Sequence, residues 1–154
     1  MNDIIPALTM WQPWATLVAI GAKQYETRSW STDYRGPLLI HVAKKRDKES
    51  LELCRRRPFY TALNEADYFK DDDLPFGAFL AVVDLTNVYP TEKIFVPHLE
   101  LPFGDFSSGR FAWELDNLRK LPEPIPAPGN RKLWNVRKGD YEQIWQFIEA
   151  QKGQ

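Results

Sequence analysis

The sequence predicts an α+β fold, a small β-barrel of five or six strands with peripheral helices. Three observations predict it. The chain has 154 residues, 44% of them hydrophobic, which is the length and apolar content of one domain. Short apolar runs bounded by Gly and Pro recur along its whole length, as strands do. Helical spacing is confined to stretches near residues 13–20, 47–66 and 140–150.

Ala7 to Met10 is a short strand candidate, ended by Trp11-Gln12-Pro13. Pro13 suits the first turn of a helix, and Trp14, Leu17, Val18 and Gly21 then fall at i, i+3, i+4 and i+7. Gly21 is the expected stop, so the helix spans about 13–20. Gln24 to Trp30 and Pro37 to Ala43 read as strands around a turn at 33–36.

Asp47 is placed to cap a helix running to Arg56, which Pro58 interrupts; Phe59, Leu63 and Ala66 carry the spacing on toward Asp71-Asp72-Asp73. This makes a helical, acidic insertion at about 47–73 within a single domain over 1–154. Gly77 to Tyr89 is the longest apolar run and reads as a strand. Residues 90–109 hold three prolines and two glycines, hence an irregular connection. Arg110 to Leu118 alternates, with Phe111, Trp113 and Leu115 on one face and Glu114 on the other.

Pro122, Pro124, Pro126 and Pro128 force an extended segment, and Leu133 to Val136 offers a last strand. Asp140 is the expected cap of a final helix whose Tyr141, Ile144, Trp145 and Ile148 form a stripe for packing on the sheet.

Composition excludes several classes. A net charge of -1 argues against holding duplex DNA by bulk positive charge. Cys54 is the only cysteine, which excludes an internal disulfide and a zinc cluster of several thiolates and points to a reducing, cytoplasmic setting. The opening residues have no signal-peptide pattern and no apolar run approaches a membrane span. P-loop, dinucleotide and G-x-S-x-G motifs are missing.

The charge is segregated. Residues 1–57 carry +4, residues 58–116 carry -8 and residues 117–154 carry +3. Such segregation permits a local anion-binding surface or a merely solvated face. Aromatics make up 14% of the chain, and Trp11, Trp14, Trp30, Trp113 and Trp134 stand beside polar or basic residues. That interleaving suits base stacking, although Trp is equally good core material.

Chemical information concentrates in Gly21-Ala22-Lys23-Gln24-Tyr25-Glu26-Thr27-Arg28-Ser29-Trp30. Alternation puts Glu26, Arg28 and Trp30 on one face, and Lys23, at the turn into the strand, is free to join them. Buried together, these charges must pair with one another or meet a ligand. An internal ion-pair network that braces the fold is the alternative to a binding site.

Three segments together resemble the ASCH domain family, which shares the PUA-like barrel. They are Leu8-Thr9-Met10-Trp11-Gln12-Pro13-Trp14-Ala15, Gly21-x-Lys23-x-x-Glu26-x-Arg28-Ser29-Trp30, and Arg35-Gly36 leading to Ala43-Lys44-Lys45. The resemblance implies a small PUA-like β-barrel of mostly antiparallel strands, with a ligand cleft between the first helix and the sheet. It also implies nucleic-acid binding, with single-stranded RNA or a modified nucleotide as the expected partner of a monomer. Trp11, Trp14 or Trp30 would supply the stacking plane. Gln12, Lys23, Glu26 and Arg28 would meet base edges and phosphate, and Lys44 the backbone.

Two other classes stay open. Similar proteins include amidohydrolases of N4-acetylcytidine, which would make Lys23 and Glu26 catalytic, although those enzymes carry threonine where Glu26 stands. No cofactor is expected; Mg²⁺ or Mn²⁺ enters only for a ribonuclease, with Glu26, Glu114 and Asp116 as conceivable oxygen ligands. The third class is a protein-interaction module presenting its aromatics and its Pro-rich segment. His41, in an apolar strand, is expected to be a satisfied core residue.

Overall fold

A computed structural model describes residues 2–153. In chain order the elements are β1 (Ile4–Met10), α1 (Trp14–Ala19), β2 (Tyr25–Arg28), β3 (Gly36–Val42), α2 (Lys48–Glu52) and α3 (Phe59–Glu65). They continue with β4 (Ala78–Pro90), β5 (Phe111–Pro126), β6 (Leu133–Arg137) and α4 (Glu142–Lys152). The six strands form one sheet in the order β2-β5-β4-β3-β1-β6. Only β1 and β3 run parallel; the other pairs are antiparallel.

β1 begins three residues earlier than its local pattern predicts, because Ile4 to Leu8 pair with Arg137 to Leu133, a partner distant in sequence. α1 ends as expected, with Gly21 at φ +82, a conformation that costs a glycine nothing. Apolar residues on both faces of β3 reflect its central place. Leu38 and Ile40 face α1 with Leu8, Val18, Trp113 and Leu115, while Leu39 faces α4 with Ile5, Phe79, Ile144 and Trp145. The stripe of α4 is thus the outer cover of the sheet.

Asp140 does not cap α4. It closes a 3₁₀ turn over Lys138–Asp140, and the helix starts one residue past Tyr141. Tyr141 packs edge-on against Phe79 at 5.1 Å, so burial of its ring sets the entry to α4. The proline segment is also not free. β5 continues through Pro126, pairing Ile125 with Phe79 and Pro126 with Ala78, and the register shift between Phe79 and Ala81 accommodates residues 121–124. A bulge is where prolines lacking N–H donors fit a sheet. Pro122, Pro124 and Pro126 stay exposed, but within a paired strand and not in a free extended segment.

The insertion folds as expected around Asp47, whose Oδ2 accepts the Ser50 amide at 3.0 Å, and it breaks before α3. Its Leu51, Phe59, Leu63 and Leu74 share a third apolar cluster with Leu17 of α1 and Phe103. α2 and α3 are thereby fixed to the first helix.

The sheet is barrel-like but not closed. No ladder joins the end strands β2 and β6 among the described residues. Instead Arg28 of β2 donates through Nη2 to the Thr9 carbonyl of β1 at 3.1 Å, and Lys132, just before β6, places Nζ 5.7 Å from the Trp30 ring. No helix among the described residues is long and apolar enough to cross a membrane.

Candidate functional site

β2 pairs with β5 so that Glu26 stands opposite Trp113 and Arg28 opposite Phe111. The alternation read from the sequence holds, and it brings Glu26 and Arg28 to one face. Arg28 donates through Nε and Nη2 to Glu26 Oε2 at 3.1 and 2.9 Å, and the same Nη2 reaches Thr9 O. Glu26 Oε1 lies 3.6 Å from Lys23 Nζ and accepts the Thr27 amide at 3.2 Å. The three charges form one linked cluster, as the bracing alternative requires, and its Arg28 end opens on a cleft.

That cleft has a volume of ≈ 580 Å³ and lies between α1, β2, the insertion and the connection before β5. Trp11 and Trp14 line it from α1 and its approach; Glu26, Thr27 and Arg28 line it from β2. Leu53 and Phe59 come from the insertion, and Phe103, Gly104, Asp105 and Arg110 from the connection. Trp11 is 41% exposed, and Lys45 Nζ sits 4.7 Å from its ring centre. The cleft therefore combines aromatic surface with a fixed guanidinium and a lysine over Trp11, elements that can hold a base and its phosphate.

Four sequence-predicted residues line this cleft: Trp11, Trp14, Glu26 and Arg28. Gln12 does not. It is 1% exposed, with Nε2 donating to Thr16 Oγ1 and Pro75 O at 2.6 and 2.9 Å and Oε1 accepting the Thr16 amide at 3.0 Å. Both of its donors are spent on starting α1 and tying it to Pro75, so no edge is presented to a base.

Lys23 is enclosed beneath the cleft wall. Its side chain has 0% exposure, and Nζ donates to Phe103 O at 2.6 Å. Burial pulls its pKa below the ordinary lysine value, against the opposing pull of Glu26 and Glu100. Glu100 holds the same connection by accepting the Gln24 and Tyr25 amides at 3.0 and 2.7 Å. These bonds cover the outer edge of β2, which would otherwise expose unpaired backbone.

Trp30 and Lys44 lie outside the cleft lining. Trp30 packs edge-on against Trp113 at 4.8 Å, and the Lys44 stem lies along Gly77, where an added Cβ would come within 2.9 Å of Cγ. The neighbouring Lys45 sits over the Trp11 ring instead. Phe59, Phe103, Asp105 and Arg110 escaped sequence reasoning, since a helical insertion and a Pro/Gly-rich connection carry no periodic signal that aims them at a common point.

Glu114 and Asp116 do not join Glu26. Both accept from Thr86 Oγ1, at 2.7 and 2.9 Å, and Glu114 stands beside Tyr25 on the face opposite Glu26. Strand parity separates them, so these three carboxylates cannot share one cation. Burial and the Glu114 carboxylate push the Tyr25 phenol up to about 12. His41 is 1% exposed, linked to Thr9 Oγ1 at 3.2 Å through Nδ1 and to Ala127 O at 2.8 Å through Nε2. It is the satisfied core histidine expected.

Comparisons with known proteins agree with this architecture. The family model described as "ASCH domain" matches residues 8–124. Activating signal cointegrator 1 of Mus musculus is 32% identical over 132 residues, covering 84% of this chain and 22% of that protein. The Homo sapiens protein of the same name is 30% identical over 129 residues, again covering 84% of this chain and 22% of its own length. The chain thus spans about a fifth of these relatives. The crystal structure of ASCH from Zymomonas mobilis superposes with a TM-score of 0.54 at 10% identity, over 94% of this chain and 96% of that one, a likeness of fold. With the Lys23–Glu26–Arg28 cluster at the head of the matched segment and the match running into β5, the chain belongs to the ASCH domain family.

Proposed function

We propose that the cleft holds one nucleotide of a single-stranded nucleic acid, with RNA as the expected partner. The observation that carries this reading is the Arg28 guanidinium, fixed by Glu26 and by Thr9 O at the wall of a cleft that Trp11 and Trp14 also line. A guanidinium held in place gives up little rotamer freedom when it binds phosphate or a base edge. Trp11 and Trp14 offer stacking faces, each worth about 1–3 kcal/mol per base in single-strand binders. Lys45 adds positive charge over Trp11, while Arg110 is paired with Asp105 at 3.5 Å.

A hydrolytic role for Lys23 and Glu26 has one supporting feature, the depressed pKa of the buried amine. The enclosed Nζ, bonded to Phe103 O, would first have to be uncovered, so binding is the better-supported reading.

The test is incubation of the pure protein with single-stranded RNA and a panel of N4-acylated cytidines, with and without Mn²⁺. Binding is followed by Trp fluorescence and products by chromatography. Quenching without product, lost in Arg28→Ala and weakened by added salt, is the expected result. Absence of quenching with every ligand overturns the reading, and turnover lost in Lys23→Ala replaces it with the hydrolase.

A further inference from the structure

We infer a second base-stacking subsite outside the cleft, formed by Trp30 and Lys132, so that the ligand is a single strand of several nucleotides and not one nucleotide alone. The inference rests on the nucleic-acid reading of the cleft and extends it.

Trp30 left the cleft lining but kept the features of a stacking platform. Its ring is half-buried and fixed edge-on by Trp113 at 4.8 Å and 82°, and its carbonyl accepts Trp113 Nε1–H at 3.3 Å. A ring held this firmly loses little entropy when a base stacks on it. Lys132 Nζ, on an exposed residue, stands 5.7 Å from the centre of that ring. A lysine head is moved aside at little cost and can then neutralise the phosphate attached to the stacked base.

The arrangement repeats the one at the cleft lining, where Lys45 Nζ stands 4.7 Å from Trp11. Arg28 connects the two. Its Nη2 binds Thr9 O, and the ladder that pairs Leu8 with Leu133 brings Lys132 beside Thr9. Along the surface the order is therefore Trp11 with Lys45, then Arg28, then Lys132 with Trp30. Cations alternate with indole faces, the pattern that tracks a strand's phosphates and bases.

Charge supports the same path. Arg131 and Lys132, just before β6, are exposed, and neither is within ion-pair distance of a carboxylate among the described residues. The acidic insertion packs on α1 and walls the cleft through Leu53 and Phe59, away from Lys132. Arg131 and Lys132, two unpaired cations at the Thr9 end of the β1–β6 ladder and beside an ordered Trp, fit a polyanion passing there.

The experiment compares cytidine 5′-monophosphate with a labelled single-stranded hexacytidylate RNA, by Trp quenching and anisotropy, at two salt concentrations. Lys132→Asn is the informative variant, because Lys132 has φ +54 and Asn tolerates that conformation better than most residues. The hexamer should bind the wild type at least tenfold more tightly than the mononucleotide. Lys132→Asn should weaken the hexamer about five- to tenfold and shrink its salt slope by about 0.7, the loss of one phosphate contact on a single strand. Mononucleotide binding should be unchanged.

Equal wild-type affinity for monomer and hexamer, or a Lys132→Asn protein with unchanged hexamer affinity and slope, overturns the subsite and leaves the cleft reading intact. If neither ligand binds, or if Arg28→Ala binds both as the wild type does, the cleft reading falls and the subsite with it.

Discussion

Arg28 Nη2 lies 3.1 Å from the Thr9 carbonyl, so one guanidinium joins the strand at one end of the sheet to the strand next to the other end. The same guanidinium forks onto Glu26 Oε2 at 3.1 and 2.9 Å. The contact that bridges β2 to β1 and the presentation of a cation to the cleft are therefore one arrangement.

Arg28→Lys keeps the charge but loses the planar fork, since an ammonium cannot reproduce the paired bonds to Glu26 and the reach to Thr9 O. We expect a loss of about 1–2 kcal/mol in urea unfolding together with a roughly tenfold weaker affinity for single-stranded RNA. A lysine variant equal to wild type in both measurements would show that charge alone matters here.

Lys23 acts on the connection that walls the cleft. Its enclosed Nζ holds Phe103 O at 2.6 Å, and two residues on, the Asp105 amide donates to Thr27 Oγ1 at 3.2 Å. Lys23→Ala should cost about 3 kcal/mol by opening a cavity and leaving Glu26 with one partner fewer. It should also speed hydrogen exchange at the Asp105 amide beyond the global change. Unchanged protection there would mean that Lys23 is not what holds this wall.

Gly129 makes room for His41. A Cβ at that position would meet His41 Cε1 at 2.7 Å and Thr9 Oγ1 at 3.0 Å, and the imidazole has edge-on contacts with Phe79 and Trp134 at 5.2 and 5.5 Å. The ring has little room to yield, so Gly129→Ala should destabilise by about 2 kcal/mol. Gly139, where a Cβ meets nothing within 4 Å, is the control and should change stability by no more than about 0.5 kcal/mol. Equal melting temperatures for the two variants would contradict this packing.

His41 also makes stability depend on pH. Burial lowers its pKa below 6.5, opposed by the bond to Ala127 O. As pH falls through about 6.5 the unfolded chain takes up a proton that the folded protein still refuses, so the unfolded state binds more protons. The His41 contribution is thus complete above that pH and declines below it, with a limiting slope of about 1.4 kcal/mol per pH unit. Urea unfolding of wild type and His41→Gln between about pH 7.5 and 5 should give a difference that shrinks on acidification. A difference that stays constant over this range would exclude a depressed His41 pKa.

Much of the strand and helix pattern is local and was legible. Leu17, Val18 and Gly21 state the first helix, Tyr141 to Ile148 the stripe of the last, and the alternation from Glu26 to Arg28 puts both charges on one face. Asp140 was misleading for a physical reason. A side chain that can cap a helix was overruled by the burial of Tyr141, whose contact with Phe79 joins residues far apart in sequence.

The functional cluster was legible as a motif but not as a geometry. Convergence of Lys23, Glu26 and Arg28 follows from local rules, because strand periodicity and the cost of burying unpaired charge act within a few residues. Only the tertiary structure decided which of them reaches solvent. The connection through Glu100 and Phe103 seals Lys23, the start of α1 consumes Gln12, and curling of the sheet carries Arg28 to Thr9. Each depends on partners up to about eighty residues apart in sequence, which only the folded arrangement of strands and connections brings together.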